Sequence, residues 1–164
     1  VTNGPGDQTF EAFYRSALDP TYRAVLLATR HPDRAEDAVQ EAFGRALERW
    51  DQVAAHANPI AWVIRVALNY NASAWRIWRR ETADPPDVPV EDELPFDPWL
   101  LRAVWRLPLR QRQVVALRIL LDLSAEDTAE TLGISVGTVG VHLHRALSRL
   151  QQMLAGTARV EALE

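Results

Sequence analysis

Five of the ten prolines in this 164-residue chain, Pro85, Pro86, Pro89, Pro95 and Pro98, fall in one short window. The same window carries the acidic run Asp84 to Asp97, and residues 84–101 hold 6 acids and no base. Proline donates no backbone hydrogen bond and biases the residue before it toward extended geometry. The segment therefore reads as a linker, and the chain is expected to fold as two small halves joined by it rather than around one core.

Both halves carry helical periodicity and no alternating strand pattern, which predicts an all-α protein. In the first half, Phe10, Phe13, Tyr14, Ala17 and Leu18 recur at helical spacing. Asp19-Pro20 is expected to break that helix, Tyr22 to Thr29 to resume it, and His31-Pro32 to end it. Asp33 is then expected to cap a helix through about Trp50, with Ala35, Ala38/Val39, Ala42/Phe43, Ala46/Leu47 and Trp50 as its apolar stripe. After a loop, Asn58-Pro59 supplies a cap and a first-turn proline for a long helix carrying Ile60, Val63/Ile64, Ala67, Tyr70, Ala74 and Ile77 inward. In the second half, Trp99 to Trp105 and Leu109 to Leu121 are helices separated by Leu107-Pro108. Ser124 caps a helix that stops at Gly133, and Ser135 caps a last helix through about Met153.

Composition narrows the function more than it names it. Hydrophobic residues at 48% and charged residues at 24% fit a globular chain. Apolar runs such as Ala24 to Ala28 fall far short of the roughly 20 residues a membrane span needs, and the polar N-terminus lacks a signal-peptide core, so a cytoplasmic protein is expected. Without cysteine there is no disulfide framework, thiol nucleophile or thiolate metal site. His142 and His144 are two apart and share no helix face, while His31 and His56 are isolated. No glycine lies between Arg45 and Leu132, which removes a phosphate-cradling loop there. No enzyme, metal or cofactor is expected. The net charge of −4 hides an uneven distribution, since residues 102–164 hold 8 arginines and 6 acids. All 18 basic residues are arginine, as a GC-rich genome produces, and arginine also suits phosphate and base-edge contacts.

Three patterns bear on binding. Ala129, Gly133 and Val139 have the spacing of a helix-turn-helix: a small residue where helices cross, glycine at the turn, and a β-branched residue packing the second helix back. A DNA-binding unit and an ordinary helical hairpin both fit. In the first case Ser135, Thr138, His142 and Arg145 lie near DNA in the major groove. Arg65, Asn69, Ser73, Arg76 and Arg80 step by 4, 4, 3 and 4 beside Trp75 and Trp78. That stripe suits backbone phosphates and a stacked base, or equally two core tryptophans and arginines at a helix C-terminus. Glu36, Asp37, Gln40, Glu41, Arg45, Glu48 and Arg49 form a polar face which, on pattern alone, is simply solvated.

Taken together, these residues carry a family resemblance. The run Ala35-Glu36-Asp37-Ala38-Val39-Gln40-Glu41-Ala42-Phe43, with Arg45-Ala46 and Trp50, resembles the polymerase-binding segment of bacterial extracytoplasmic-function sigma factors. Pro59-Ile60-Ala61-Trp62 with Arg65, Ala67 and Asn69, then Trp75 through Arg80, is similar to their promoter-melting segment. Leu107-Pro108, Arg110 to Val115, Arg118, Leu123-Ser124, Ala129, Leu132 to Val139 and Leu143 to Ala146 resemble their promoter-binding C-terminal domain.

The resemblance implies a domain over residues 8–81 for polymerase binding and minus-ten recognition, a linker over 82–97, and a helix-turn-helix domain over 98–155 for the minus-thirty-five element. It implies core RNA polymerase, promoter DNA and an anti-sigma factor as partners, with no catalysis, no cofactor and no membrane insertion. By the same resemblance Asp37, Gln40, Glu41, Phe43 and Trp50 belong to the polymerase-docking face or its supporting core. Arg65, Asn69, Trp75, Arg76, Arg79 and Arg80 would engage the minus-ten element, the loop Asp51 to Asn58 and Asn69 helping to capture a flipped base and Arg76, Arg79 and Arg80 holding the separated strand. Arg118, Ser135, Thr138, His142 and Arg145 would engage the minus-thirty-five element. A sigma mimic that only sequesters an anti-sigma factor, or an operator-binding regulator, are the alternative readings. The chain departs from the family pattern at Gly140-Val141-His142, where the family commonly has lysine first, and at Thr128, where an aliphatic residue is usual.

Overall fold

A computed structural model describes residues 9–81 and 94–161, the stretches 74–81 and 157–161 as helical backbone only. The described residues form helices and no strand, so the fold is all-α. The chain divides into two compact units, Val1–Val88 and Pro89–Glu164. Most of the acidic proline-rich segment, residues 82–93, lies outside the described residues.

The first unit is built from α1 (Phe10–Thr29), α2 (Pro32–Glu48), α3 (Trp50–Ala54) and α4 (Pro59–Glu81). Thr9 caps α1, its hydroxyl accepting the Ala12 N–H at 3.2 Å. Contrary to expectation, α1 runs straight through Asp19-Pro20. An interior proline costs about 3 kcal/mol, but Phe13, Ala17, Thr21, Ala24 and Ala28 form one buried row on both sides of Pro20, and their burial outweighs that cost. The helix ends at Arg30, in the left-handed conformation at φ 67°. Asp33 is not the cap of α2: that position is His31, which makes no side-chain cap bond, with Pro32 following at the first helical position. Asp33 sits in the first turn, where its charge favours the helix dipole.

α2 stops before Trp50. Arg49 leaves helical geometry at φ −125° and ψ 28°, and Trp50 begins α3, so the expected loop from Asp51 shortens to residues 55–58. Trp50 meets Phe10 edge-on and Phe13 at a tilt, with ring separations of 5.5 and 5.1 Å. Phe43 completes this aromatic cluster against Phe13 and Tyr14. The Asn58 side chain accepts the Ala61 N–H at 3.3 Å and starts α4 as expected.

The second unit contains α5 (Pro98–Trp105), α6 (Leu109–Val115), α7 (Ala125–Leu132) and α8 (Val136–Glu161). Asp97, the last acid of the linker run, caps α5 by accepting the N–H groups of Trp99 and Leu100 at 2.9 and 3.1 Å. The helix expected from Leu109 to Leu121 changes character midway: Ala116–Leu120 widens into a π turn, followed by Asp122 at φ 51°. With no glycine or proline to end the helix there, the wider turn redirects the chain so that both Leu117 and Leu123 are buried, while Ile119 swings into solvent. Leu101, Val104, Trp105, Leu107, Val114, Leu117, Val139 and Ala146 make the core.

Thr128 sits in that core with no exposed surface, and its Oγ1 has no hydrogen-bond partner among the described residues. An unpaired buried hydroxyl costs about 1–3 kcal/mol. Thr128→Val is therefore expected to raise the stability of the second unit by about 1 kcal/mol, read as a rise in its urea midpoint with unchanged m-value.

Candidate functional site

The geometry between α7 and α8 is that of a helix-turn-helix. Gly133 closes α7 at φ 63° and ψ 39°, a left-handed conformation in which a β-carbon is strained, and Ile134 N–H returns to the Ala129 carbonyl at 3.0 Å. Two residues later Ser135 caps α8, its hydroxyl accepting the Thr138 N–H at 3.1 Å and lying 2.7 Å from the Thr138 hydroxyl. Ala129 and Val139 are buried where the two helices cross. Arg110 ties this corner to α6, donating to the Leu132 carbonyl at 3.3 Å and to Gln113 at 3.1 Å.

Of the residues expected at DNA in this unit, Ser135, Thr138, His142 and Arg145 share α8, at steps of 3, 4 and 3. Ser135 and Arg145 are exposed; Thr138 and His142 are half-buried. Arg118 lies on a different element. It donates to the Leu123 carbonyl from the π turn, bracing the approach to α7. The solvent side of α8 also carries Gly137, Gly140, Val141 and His144, all exposed. Sequence reading singled out none of Gly137, Val141 or His144 as contacts, although they lie opposite Val139 and Ala146 on a helical wheel.

In the first unit, Asp37 and Gln40 are exposed and Glu41 is half-buried. With Gly44, Arg45, Glu48 and Tyr70 they line an open polar groove along α2 and α4. Glu41 accepts from Arg45 at 2.7 Å, which pins part of this face. Nearer the start of α2, the Tyr22 phenol is pushed up by burial first, then by the Glu36 and Asp33 carboxylates. Phe43 and Trp50 are elsewhere: Phe43 is 3% exposed and both belong to the aromatic cluster behind the groove. Tyr70, expected in the core stripe, instead lines the groove; its place follows from α4 turning past α2, which periodicity alone does not give.

Arg65 and Asn69 are exposed one turn apart on α4. Ser73, a turn further, donates its hydroxyl to the Asn69 carbonyl at 3.1 Å. Trp75, Arg76, Arg79 and Arg80 fall on the last turns of α4, and their side chains lie outside the described residues. Among the described residues, no three His, Asp or Glu side chains are grouped to hold a metal ion, and no helix is long and apolar enough to cross a membrane.

Comparison with known proteins places this geometry in context. Residues 98–150 match the family model described as Sigma-70, region 4. The RNA polymerase sigma-E factor of Streptomyces avermitilis is 37% identical, over 88% of this chain and 84% of its own. That of Streptomyces coelicolor is 35% identical, over 94% of this chain and 92% of its own. The ECF RNA polymerase sigma factor SigM of Mycobacterium tuberculosis is 31% identical, over 91% and 79%. Among solved structures, the sigma factor RpoE of Bartonella quintana, crystallised with the anti-sigma factor NepR, shares the fold: TM-score 0.77, 24% identity, 89% of this chain and 96% of that one.

The capping role of Ser135 can be separated from its expected place at DNA. Ser135→Ala is expected to cost about 1 kcal/mol of stability through the lost cap. Ser135→Asp keeps an equally good cap and so leaves the unfolding midpoint nearly unchanged, but sets a carboxylate on the exposed start of α8. Duplex DNA binding, measured by fluorescence anisotropy, should then fall in the Asp variant despite its intact fold.

Proposed function

The chain belongs to the extracytoplasmic-function sigma factors of the sigma-70 family, and we propose from that premise that it binds core RNA polymerase and directs promoter-specific initiation as an alternative sigma factor. The observation that carries the reading is the presence, in one chain, of an exposed polar face on α2 and a helix-turn-helix. An operator-binding regulator needs only the second of these.

In this reading residues 8–81 act as the polymerase-binding and minus-ten unit, 82–97 as the connector through the enzyme, and 98–155 as the minus-thirty-five unit. Asp37, Gln40 and Glu41 meet the polymerase directly. Phe43 and Trp50 support them from behind, because both are taken up by the aromatic cluster. Removing a base from the stack costs a few kcal/mol, which a preformed pocket and stacking can offset. Arg65 and Asn69 stand exposed on α4, and Trp75, Arg76, Arg79 and Arg80 continue the same helix toward its C-terminus. Together they would hold the separated strand by its phosphates while the polymerase supplies all bond chemistry. Ser135, Thr138, His142 and Arg145 engage the upstream element, with Arg118 as a brace rather than a base contact. The protein itself has no catalytic step, and its place of action is the cytoplasm with the polymerase. The regulator that family membership points to is an anti-sigma factor competing for the same surfaces.

Run-off transcription with purified core polymerase and genomic fragments is expected to give promoter-specific transcripts. Tight binding to an anti-sigma protein without core binding at micromolar concentration would replace this reading with that of a mimic. Two variants divide the labour. Asp37→Arg with Gln40→Arg should weaken core binding, with stability held within about 0.5 kcal/mol because both sites are exposed. Arg76→Ala with Arg79→Ala should leave core binding intact and abolish open complexes, seen as lost permanganate reactivity of unpaired thymines.

A further inference from the structure

From Val136 to Gly156, α8 carries no acidic residue and contains Arg145 and Arg149, in a chain whose net charge is −4. The outer side of its first turns carries no charged arginine and little bulk. Gly137, Gly140, Val141 and His144 form its outer arc, and Val136 and Val141 leave 44% and 47% of their surface exposed. Nothing inside the protein asks for the glycines. A β-carbon at Gly140 would meet nothing within 4 Å, and one at Gly137 would meet only the Ser135 hydroxyl at 4.0 Å. Neither has the positive φ that marks Gly133. Glycine inside a helix is less stable than alanine, so two of them in the opening turns are a cost the fold does not require.

We propose that Val141 determines specificity by packing on the C5 methyl group of a thymine, and that Gly137 and Gly140 leave room for the α8 backbone to approach the base edges that closely. The inference rests on the proposed sigma-factor role and sharpens it. A duplex offers one apolar group in its major groove, the thymine methyl, and a side chain without donors or acceptors can recognise nothing else there. An acid-free stretch from Val136 to Gly156, with arginines further along, suits DNA rather than another acidic protein. Thr138 and Arg145, on one flank of the valine, remain for polar contacts to neighbouring bases or phosphates.

The test uses holoenzyme assembled from core polymerase and the full chain. Selection from duplexes randomised across the upstream element gives the preferred site, and each thymine in it is then replaced by deoxyuridine, which lacks only the methyl. At one thymine the replacement should weaken binding about fourfold, the worth of one buried methyl. Val141→Ala should erase that difference while leaving the melting temperature unchanged. Gly140→Ala should raise the melting temperature and yet lose affinity for the selected site, a pairing that a purely structural glycine would not give. A thymine-to-uracil effect of the same size in Val141→Ala, no methyl-sensitive position, or a Gly140→Ala variant that binds as well as wild type would each overturn the inference while sequence-selective initiation still stood. Val141→Ala that weakens only the grip of a protein inhibitor would put a protein on this face instead, and overturn it too. A chain that forms no holoenzyme would remove the sigma-factor role together with the inference.

Discussion

Ala35, Ala38, Ala42 and Ala46 have no exposed surface at all, and the first unit depends on what that permits. Four methyl groups in a row let α2 lie against both α1 and α4 at a separation that larger side chains would widen, since interaxial distance follows the residues at the contact. The bulk missing from this stripe is supplied at one end, where Phe10, Phe13, Tyr14, Phe43 and Trp50 interlock. With Val39 and Phe43 completing the buried face, the rest of the circumference of α2 is left for Asp37, Gln40, Glu41, Arg45 and Glu48.

The second unit solves a different problem. It is small, and small units bury a lower fraction of their surface, so polar groups end up inside it. Gln111, Arg112, Gln113, Thr128 and Thr131 are all buried. Its arginines hold the chain where helices end: Arg112 donates to the Leu107 carbonyl at 2.7 Å, Arg110 to that of Leu132, and Arg118 to that of Leu123. The Leu132 carbonyl ends α7, those of Leu107 and Leu123 lie in the connections between helices, and a charged donor makes the stronger kind of hydrogen bond to such groups. The corner that presents α8 is thus pinned by side chains from the element before it.

This division explains what could be read from the sequence. Caps and stops are local chemistry, and Asn58, Ser124, Gly133 and Ser135 do in the structure what their residue types announce. Pro20 and the π turn are decided by packing between elements, where local signals mislead: a proline is tolerated if the row it interrupts stays buried, and a helix widens without a breaker where the chain on both sides of it is buried. The candidate site divides in the same way. Residue types marked Asp37, Gln40 and Arg145 as surface groups, but only the fold separates Phe43 and Trp50 from the groove they support. Arginine was the least legible type, since a cation bonded to a carbonyl and one awaiting a phosphate look alike in a sequence.

The net charge is a poor guide to partners for the same reason. At physiological salt, charges more than about 8 Å apart are largely screened, so a phosphate near α8 responds to that helix and hardly to acids elsewhere in the chain. What it meets there is modest: each neutralised phosphate contributes about −0.9 to the logarithmic salt slope, and Arg145 and Arg149 are the exposed arginines of α8 among the described side chains. Two cations give α8 by itself little affinity for DNA of any sequence. On the proposed role that weakness is useful. A unit that binds feebly by itself does not sequester promoters or spread over the genome, and its preference counts only when polymerase holds both units to one stretch of DNA and the second contact becomes intramolecular. Specificity can then rest on contacts as small as a single methyl group, because affinity is supplied by the assembly.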